Sequence, residues 1–131
     1  MPHYVVEKAA GGLNRHKKAL KGSKVLVLGV AYKKDVKDLR ESPALEIVKL
    51  LQQKGSLVSY HDPYLPYLDW EGIDLKSVKL DKKALGAADC VVVVTDHSNV
   101  DYAFVARHSK LVVDTRNVMK GVKNRSNIVR L

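Results

Sequence analysis

The densest set of chemically useful side chains lies in residues 30–42, Val-Ala-Tyr-Lys-Lys-Asp-Val-Lys-Asp-Leu-Arg-Glu-Ser. Four cations, Lys33, Lys34, Lys37 and Arg40, are interleaved with three acids, Asp35, Asp38 and Glu41. Lysine offers a point charge and arginine a planar fork, so this set suits an anion such as a phosphate. Ser42 and Pro43 then open a helix, with serine as N-cap and proline at the first helical position. A helix start favours anions through its free N–H groups and its dipole. The segment is long for a strand-to-helix connection, where about 2–6 residues is usual, and long loops at such edges tend to carry function. The same composition also describes a solvated loop whose Asp–Arg pairs merely stiffen it.

Two common phosphate cradles are absent. A dinucleotide-binding turn needs G-x-G-x-x-G, and only Gly29 is present; the P-loop pattern G-x-x-x-x-G-K-[ST] is missing as well. Phosphates, if bound, must therefore be held by side chains. Cys90 sits in an apolar run and reads as a small buried hydrophobe rather than a nucleophile. His61 and His97 lack metal-ligand spacing, so no metal site is expected, and Asp96-His97 reads as a polar turn. Asp114-Thr115-Arg116 follows another apolar run. An arginine there can reach a ribose or a phosphate, or form a surface ion pair.

The elements that must position these groups alternate. Lys24-Val-Leu-Val-Leu-Gly29 reads as a strand buried on both faces. A helix from Pro43 carries the stripe Leu45, Val48 and Leu51 and ends at Gly55. Leu57–Tyr60 is the next strand, closed by Asp62-Pro63. Residues 64–76, with Pro66 and Trp70, read as a loop, and Val78–Leu80 as a short strand. A helix over Asp81–Ala88, a strand over Cys90–Val94, a helix over Asp101–Arg107 and strands at Leu111–Asp114 and Ile128–Leu131 complete the pattern. Such alternation predicts an α/β fold: a three-layer, Rossmann-like parallel sheet with helices on both faces. Ligands bind such sheets at the carboxyl ends of the strands. Pro2–Leu20 contains helix formers interrupted by Gly11-Gly12, each glycine costing about 1 kcal/mol relative to alanine. It reads as a helical arm, residues 1–22, preceding a body of residues 23–131, and a helix this weak needs a packing partner.

The chain has 131 residues and 46% hydrophobic content, enough for one domain with one core. No apolar run reaches the roughly 18 residues of a membrane span, and the N-terminus lacks a signal-peptide pattern. A cytoplasmic setting is the expectation. The net charge of +9 raises nucleic acid as a partner. The excess sits in the flanks, however: residues 25–116 hold 13 basic and 13 acidic side chains. No helix-turn-helix, zinc pattern or aromatic RNA-binding signature accompanies it.

The run Lys24-Val-Leu-Val-Leu-Gly-Val-Ala-Tyr-Lys-Lys-Asp-Val-Lys-Asp-Leu-Arg-Glu-Ser-Pro-Ala-Leu-Glu-Ile47 resembles the C-terminal domain of the UDP-glucose/GDP-mannose dehydrogenase family. The likeness is strongest to its UDP-N-acetylglucosamine-type 6-dehydrogenases. It continues through Tyr60-His-Asp-Pro-Tyr64, Val94-Thr-Asp-His97 and Asp114-Thr-Arg-Asn117, and the opening residues resemble the end of the helix that leads in from the family's central domain.

The resemblance implies a nucleotide-sugar (UDP) binding domain at residues 23–131. Tyr32 and Lys33 would contact the UDP-sugar, Arg116 would hold the nucleoside, and Arg40 would point toward an NAD cofactor bound mainly by a domain absent from this chain. Asp35 and Asp38 would orient the cations. Such enzymes oxidise a sugar C6 alcohol to a carboxylate with NAD and form homo-oligomers. Their catalytic cysteine belongs to a glycine-rich motif in which Cys90 does not lie. No catalytic residue is therefore assigned, and the chain alone is expected to be inactive. A free-standing nucleotide- or anion-binding module and a basic nucleic-acid-interaction domain are the alternatives.

Overall fold

A computed structural model describes residues 2–31, 43–70, 72–119 and 127–130; the side chain of Trp70 is not described. Helix α1 (Pro2–Arg15) leads into strand β1 (Lys24–Leu28), helix α2 (Pro43–Gln53) and strand β2 (Leu57–His61). A hairpin of β3 (Tyr67–Trp70) and β4 (Ile73–Lys76) follows, then helix α3 (Lys82–Ala87), strand β5 (Cys90–Val93), helix α4 (Tyr102–His108), and strands β6 (Val112–Asp114) and β7 (Ile128–Arg130). Five strands form one parallel sheet in the order β2-β1-β5-β6-β7. This is the α/β layering that the alternation of elements predicts.

Strand periodicity sorts the core into two layers. Val25 and Val27 face one side of β1, where they meet Val5, Ala9 and Leu13 of α1 and Ile47, Val48 and Leu51 of α2. Leu26 and Leu28 face the other side, against Leu85 of α3 and Val105 of α4. Both faces of β1 are buried, which is why its sequence is a continuous apolar run rather than an alternating one. Asp81 and Asp101 are N-caps: their carboxylates accept the N–H groups of Ala84 (2.8 Å) and Phe104 (3.1 Å).

Two local expectations fail for identifiable reasons. Residues 64–76 are not simply a loop, because β3 and β4 pair antiparallel. Leu68, Ile73 and Leu75 turn toward the core on alternate positions, and the turn uses Gly72 at φ +89°. Val78–Leu80 does not continue as a strand. Pairing with β2 is confined to a bridge between Tyr60 and Ser77; beyond it, the Nδ1–H of His61 donates to the Val78 carbonyl at 2.7 Å.

Helix α1 runs unbroken through Gly11-Gly12. Its packing partners are α2 and the sheet, and they offset its weak propensity. A Cβ at Gly12 would lie 2.9 Å from Cδ2 of Leu111, so this glycine lets the helix approach the sheet. Past the helix, Lys18 donates to Asp89 at 2.8 Å, and the Lys24 N–H donates to the same carboxylate at 2.9 Å. These bonds hold the Asp89 carboxyl below its ordinary range. Gly11 differs from Gly12, since a Cβ there would meet nothing within 4 Å. Gly11→Ala is therefore expected to stabilise the chain by about 0.5–1 kcal/mol, seen as a higher urea midpoint.

Candidate functional site

Strand β1 lies between β2 and β5, and the chain leaves β1 and β5 in opposite directions across the sheet. The carboxyl ends of these two strands form the crevice where α/β sheets hold ligands. What lines it follows from three strand-ending segments: 29–31, 61–64 and 94–97.

Asp62 closes the junction between them. Its Oδ2 accepts the N–H groups of Val30 (2.8 Å) and Ala31 (3.0 Å), and its Oδ1 accepts that of Tyr64 (2.8 Å). His97 completes the set with Nε2 at 3.1 Å from Oδ2. Both side chains are buried, Asp62 at 2% exposure and His97 at 1%. The carboxylate offers only acceptors, so the His97 Nε2 carries the proton and donates. The Tyr64 ring packs on the imidazole with centroids 5.0 Å apart. Thr95 adds a bond from the third segment, its hydroxyl donating to the Ala31 carbonyl at 2.7 Å. Burial together with the neighbouring charge of Asp62 pushes the Tyr60 hydroxyl up to about 12.

A parallel device ends β6. The buried Asp114 carboxylate accepts the N–H groups of Arg116 (3.0 Å), Val118 (3.2 Å) and Met119 (3.0 Å). It shapes a turn in which Asn117 takes φ +59°. Arg116 is exposed and is steered inward along the strand ends, because its Nε donates to the Val94 carbonyl at 2.8 Å. Beside it is a cleft of about 170 Å³ lined by Pro2, Val5, Pro43, Ile47, Val94 and Arg116. It lies between the amino ends of α1 and α2 and the carboxyl ends of β5 and β6. A larger groove of about 540 Å³ sits at the opposite end of the sheet, near Lys24, Leu57 and Ala88, away from this crevice.

Of the residues singled out from the sequence, Arg116 is placed at the carboxyl edge. Tyr32, Lys33, Asp35, Asp38 and Arg40 lie outside the described residues. Cys90 is buried in β5, where loss of solvent pushes its thiol up to about 12, so it offers no thiolate near neutral pH. His97, which the sequence suggests is part of a polar turn, is instead a buried partner of Asp62. Asp62 itself stood out only as a strand terminator before Pro63. The sequence signal for both is a polar residue in the segment that follows a strand on the ligand edge, Asp62 immediately after β2 and His97 four residues after β5. Among the described residues no three His, Cys, Asp or Glu side chains cluster as metal ligands, and no helix is long and apolar enough to cross a membrane.

Comparisons with known proteins identify the family to which this fold belongs. Residues 26–121 match the model of the UDP-glucose/GDP-mannose dehydrogenase family, UDP binding domain. A UDP-N-acetyl-D-mannosamine dehydrogenase of Methanococcus maripaludis is 30% identical over 128 residues, which is 92% of this chain and 28% of that protein. Its counterpart in Campylobacter jejuni is 36% identical over 99 residues, 73% of this chain and 23% of that protein. Among solved structures, the UDP-N-acetyl-mannosamine dehydrogenase Cap5O of Staphylococcus aureus superposes with a TM-score of 0.74 at 32% identity, covering 99% of this chain and 30% of that one. The chain thus spans less than a third of the length of these relatives. It belongs to the UDP-glucose/GDP-mannose dehydrogenase family and corresponds to its UDP binding domain.

Proposed function

We propose that this chain binds the nucleotide of a UDP-sugar as part of an NAD-dependent 6-dehydrogenase, and that the rest of that enzyme supplies the cofactor site and the reacting groups. The observation that carries this reading is the junction of Asp62, Thr95 and His97, which anchors the chain immediately before Tyr32 and Lys33 at the sheet's switch point, with Arg116 on the same edge. Lys33 neutralises the diphosphate, Tyr32 contacts the nucleotide-sugar, and Arg116 presents its guanidinium to the nucleoside. Asp35 and Asp38 limit the freedom of the neighbouring cations before ligand arrives, which lowers the entropy lost on binding. The contribution to the reaction is orientation of the sugar.

The residues present do not fit NAD at this turn. In a dinucleotide fold the first N–H groups after β1 face the pyrophosphate. Here those of Val30 and Ala31 are engaged by the Asp62 carboxylate. We therefore assign the cofactor to another domain and give this chain only Arg40 as a group directed toward it. Helix α1 is the end of the segment joining the body to a central domain, and the whole enzyme is a cytoplasmic homo-oligomer in polysaccharide precursor synthesis.

The test is titration of the isolated chain with UDP, followed by amide chemical shifts. Saturable, weak binding is expected, reduced about tenfold or more in Lys33→Ala because a charge-assisted contact is lost. NAD reduction by the isolated chain would contradict the reading. So would salt-sensitive binding to random DNA with no response to UDP.

A further inference from the structure

We infer that His97, Asp62 and Thr95 act as positioning residues for nucleotide binding, by fixing the direction in which the chain leaves β1. This deepens the proposed function and rests on it. The inference stands on how the two halves of one peptide segment are held. Two successive N–H groups, those of Val30 and Ala31, converge on one carboxylate oxygen of Asp62. The carbonyl of Ala31 is held by the Thr95 hydroxyl. The segment is thus tied on its donor side from the end of β2 and on its acceptor side from the end of β5. Tyr32, the first residue assigned to the nucleotide-sugar, is the next residue in the sequence.

The Tyr64 N–H holds the other oxygen of this carboxylate, and His97 adds a side-chain donor to the oxygen that takes the two adjacent N–H groups. Its Nε2–H reaches the same Oδ2, while its own backbone is tied: the His97 N–H donates to the Tyr102 hydroxyl at 3.1 Å, and that hydroxyl donates to the Thr95 carbonyl at 3.2 Å. The imidazole is backed by Tyr64. None of these groups needs to touch the ligand. Their effect is on preorganisation: a segment held before binding loses less freedom on binding.

The experiment compares UDP affinity of the wild-type chain with His97→Ala, His97→Gln and Thr95→Val, at a temperature well below each unfolding midpoint. Glutamine places an amide N–H near the position of Nε2, so it rescues the bond to Asp62. Thr95→Val keeps the side-chain shape and removes only the hydroxyl, providing a folded variant if His97→Ala proves unstable. We expect His97→Ala and Thr95→Val to bind UDP about five- to tenfold more weakly, and His97→Gln to bind within about twofold of wild type. The amide signals of Val30 and Ala31 should shift in His97→Ala and return toward their wild-type positions in His97→Gln. A purely structural role would lower the unfolding midpoint of folded variants without changing their affinity, and that result overturns the inference alone. Absence of UDP binding by the wild-type chain would instead overturn the nucleotide reading, and the positioning role with it.

Discussion

Asp62→Ala is expected to lower the folding stability by about 3–5 kcal/mol, because it strips a buried charged group of its place among four donors. The measurement is urea denaturation, with a reduced midpoint and an unchanged slope. The size follows from what would be left behind. The N–H groups of Val30, Ala31 and Tyr64 and the Nε2–H of His97 all donate to this carboxylate. Each buried donor without an acceptor costs about 1–3 kcal/mol, and water entering the space recovers part of the sum. Asp62→Asn is expected to fall between wild type and alanine: it keeps one acceptor oxygen but turns an NH₂ group toward existing donors. A midpoint for Asp62→Ala within error of wild type would show that the junction does not depend on the carboxylate.

That junction was hard to read from sequence, and the reason is physical. Asp62 and His97 are 35 residues apart, and nothing local in Tyr60-His-Asp-Pro or Thr-Asp-His specifies that one carboxylate will serve both. What was legible is what depends on short-range pattern. Apolar runs such as residues 25–28 and Cys90–Val93 read as strands buried on both faces, and both lie in the parallel sheet. Pro43 suits the first turn of a helix for equally local reasons, and α2 spans Pro43–Gln53; Ser42, read as its N-cap, lies outside the described residues. The failures occur where tertiary contacts outweigh local signals. Gly11-Gly12 lowers helix propensity, yet α1 continues because Gly12 gains close contact with Leu111. The prolines around residues 63–66 suggest a loop, yet they stop just short of Tyr67, where β3 begins and Leu68 finds the core. The charged segment 32–42 stands out by residue type, length and order alone and lies outside the described residues; the anchorage of Ala31 just before it is visible only in the fold.

Gly29→Ala is expected to cost about 3 kcal/mol or more, from two separable terms. Gly29 has φ +85°, a left-handed conformation that costs an L side chain about 1–2 kcal/mol. A Cβ at that position would also lie 2.6 Å from Cβ of Thr95 and 2.9 Å from its backbone N and O. Backbone atoms cannot swing aside as a side chain can, so the second term adds about 1–3 kcal/mol of overpacking. Gly22 supplies the comparison, having φ +84° and nothing within 4 Å of a Cβ. Gly22→Ala should therefore show only the conformational cost, and the difference between the two midpoints isolates the close approach. Equal shifts would mean that conformation alone calls for glycine at position 29. The comparison also explains why this glycine survives where the rest of a dinucleotide fingerprint is missing. It makes room for the backbone of Thr95, whose hydroxyl holds the Ala31 carbonyl, rather than for a pyrophosphate. Pushing Thr95 away should thus weaken UDP binding together with stability in Gly29→Ala, while Gly22→Ala, at the far end of the strand, should change stability alone.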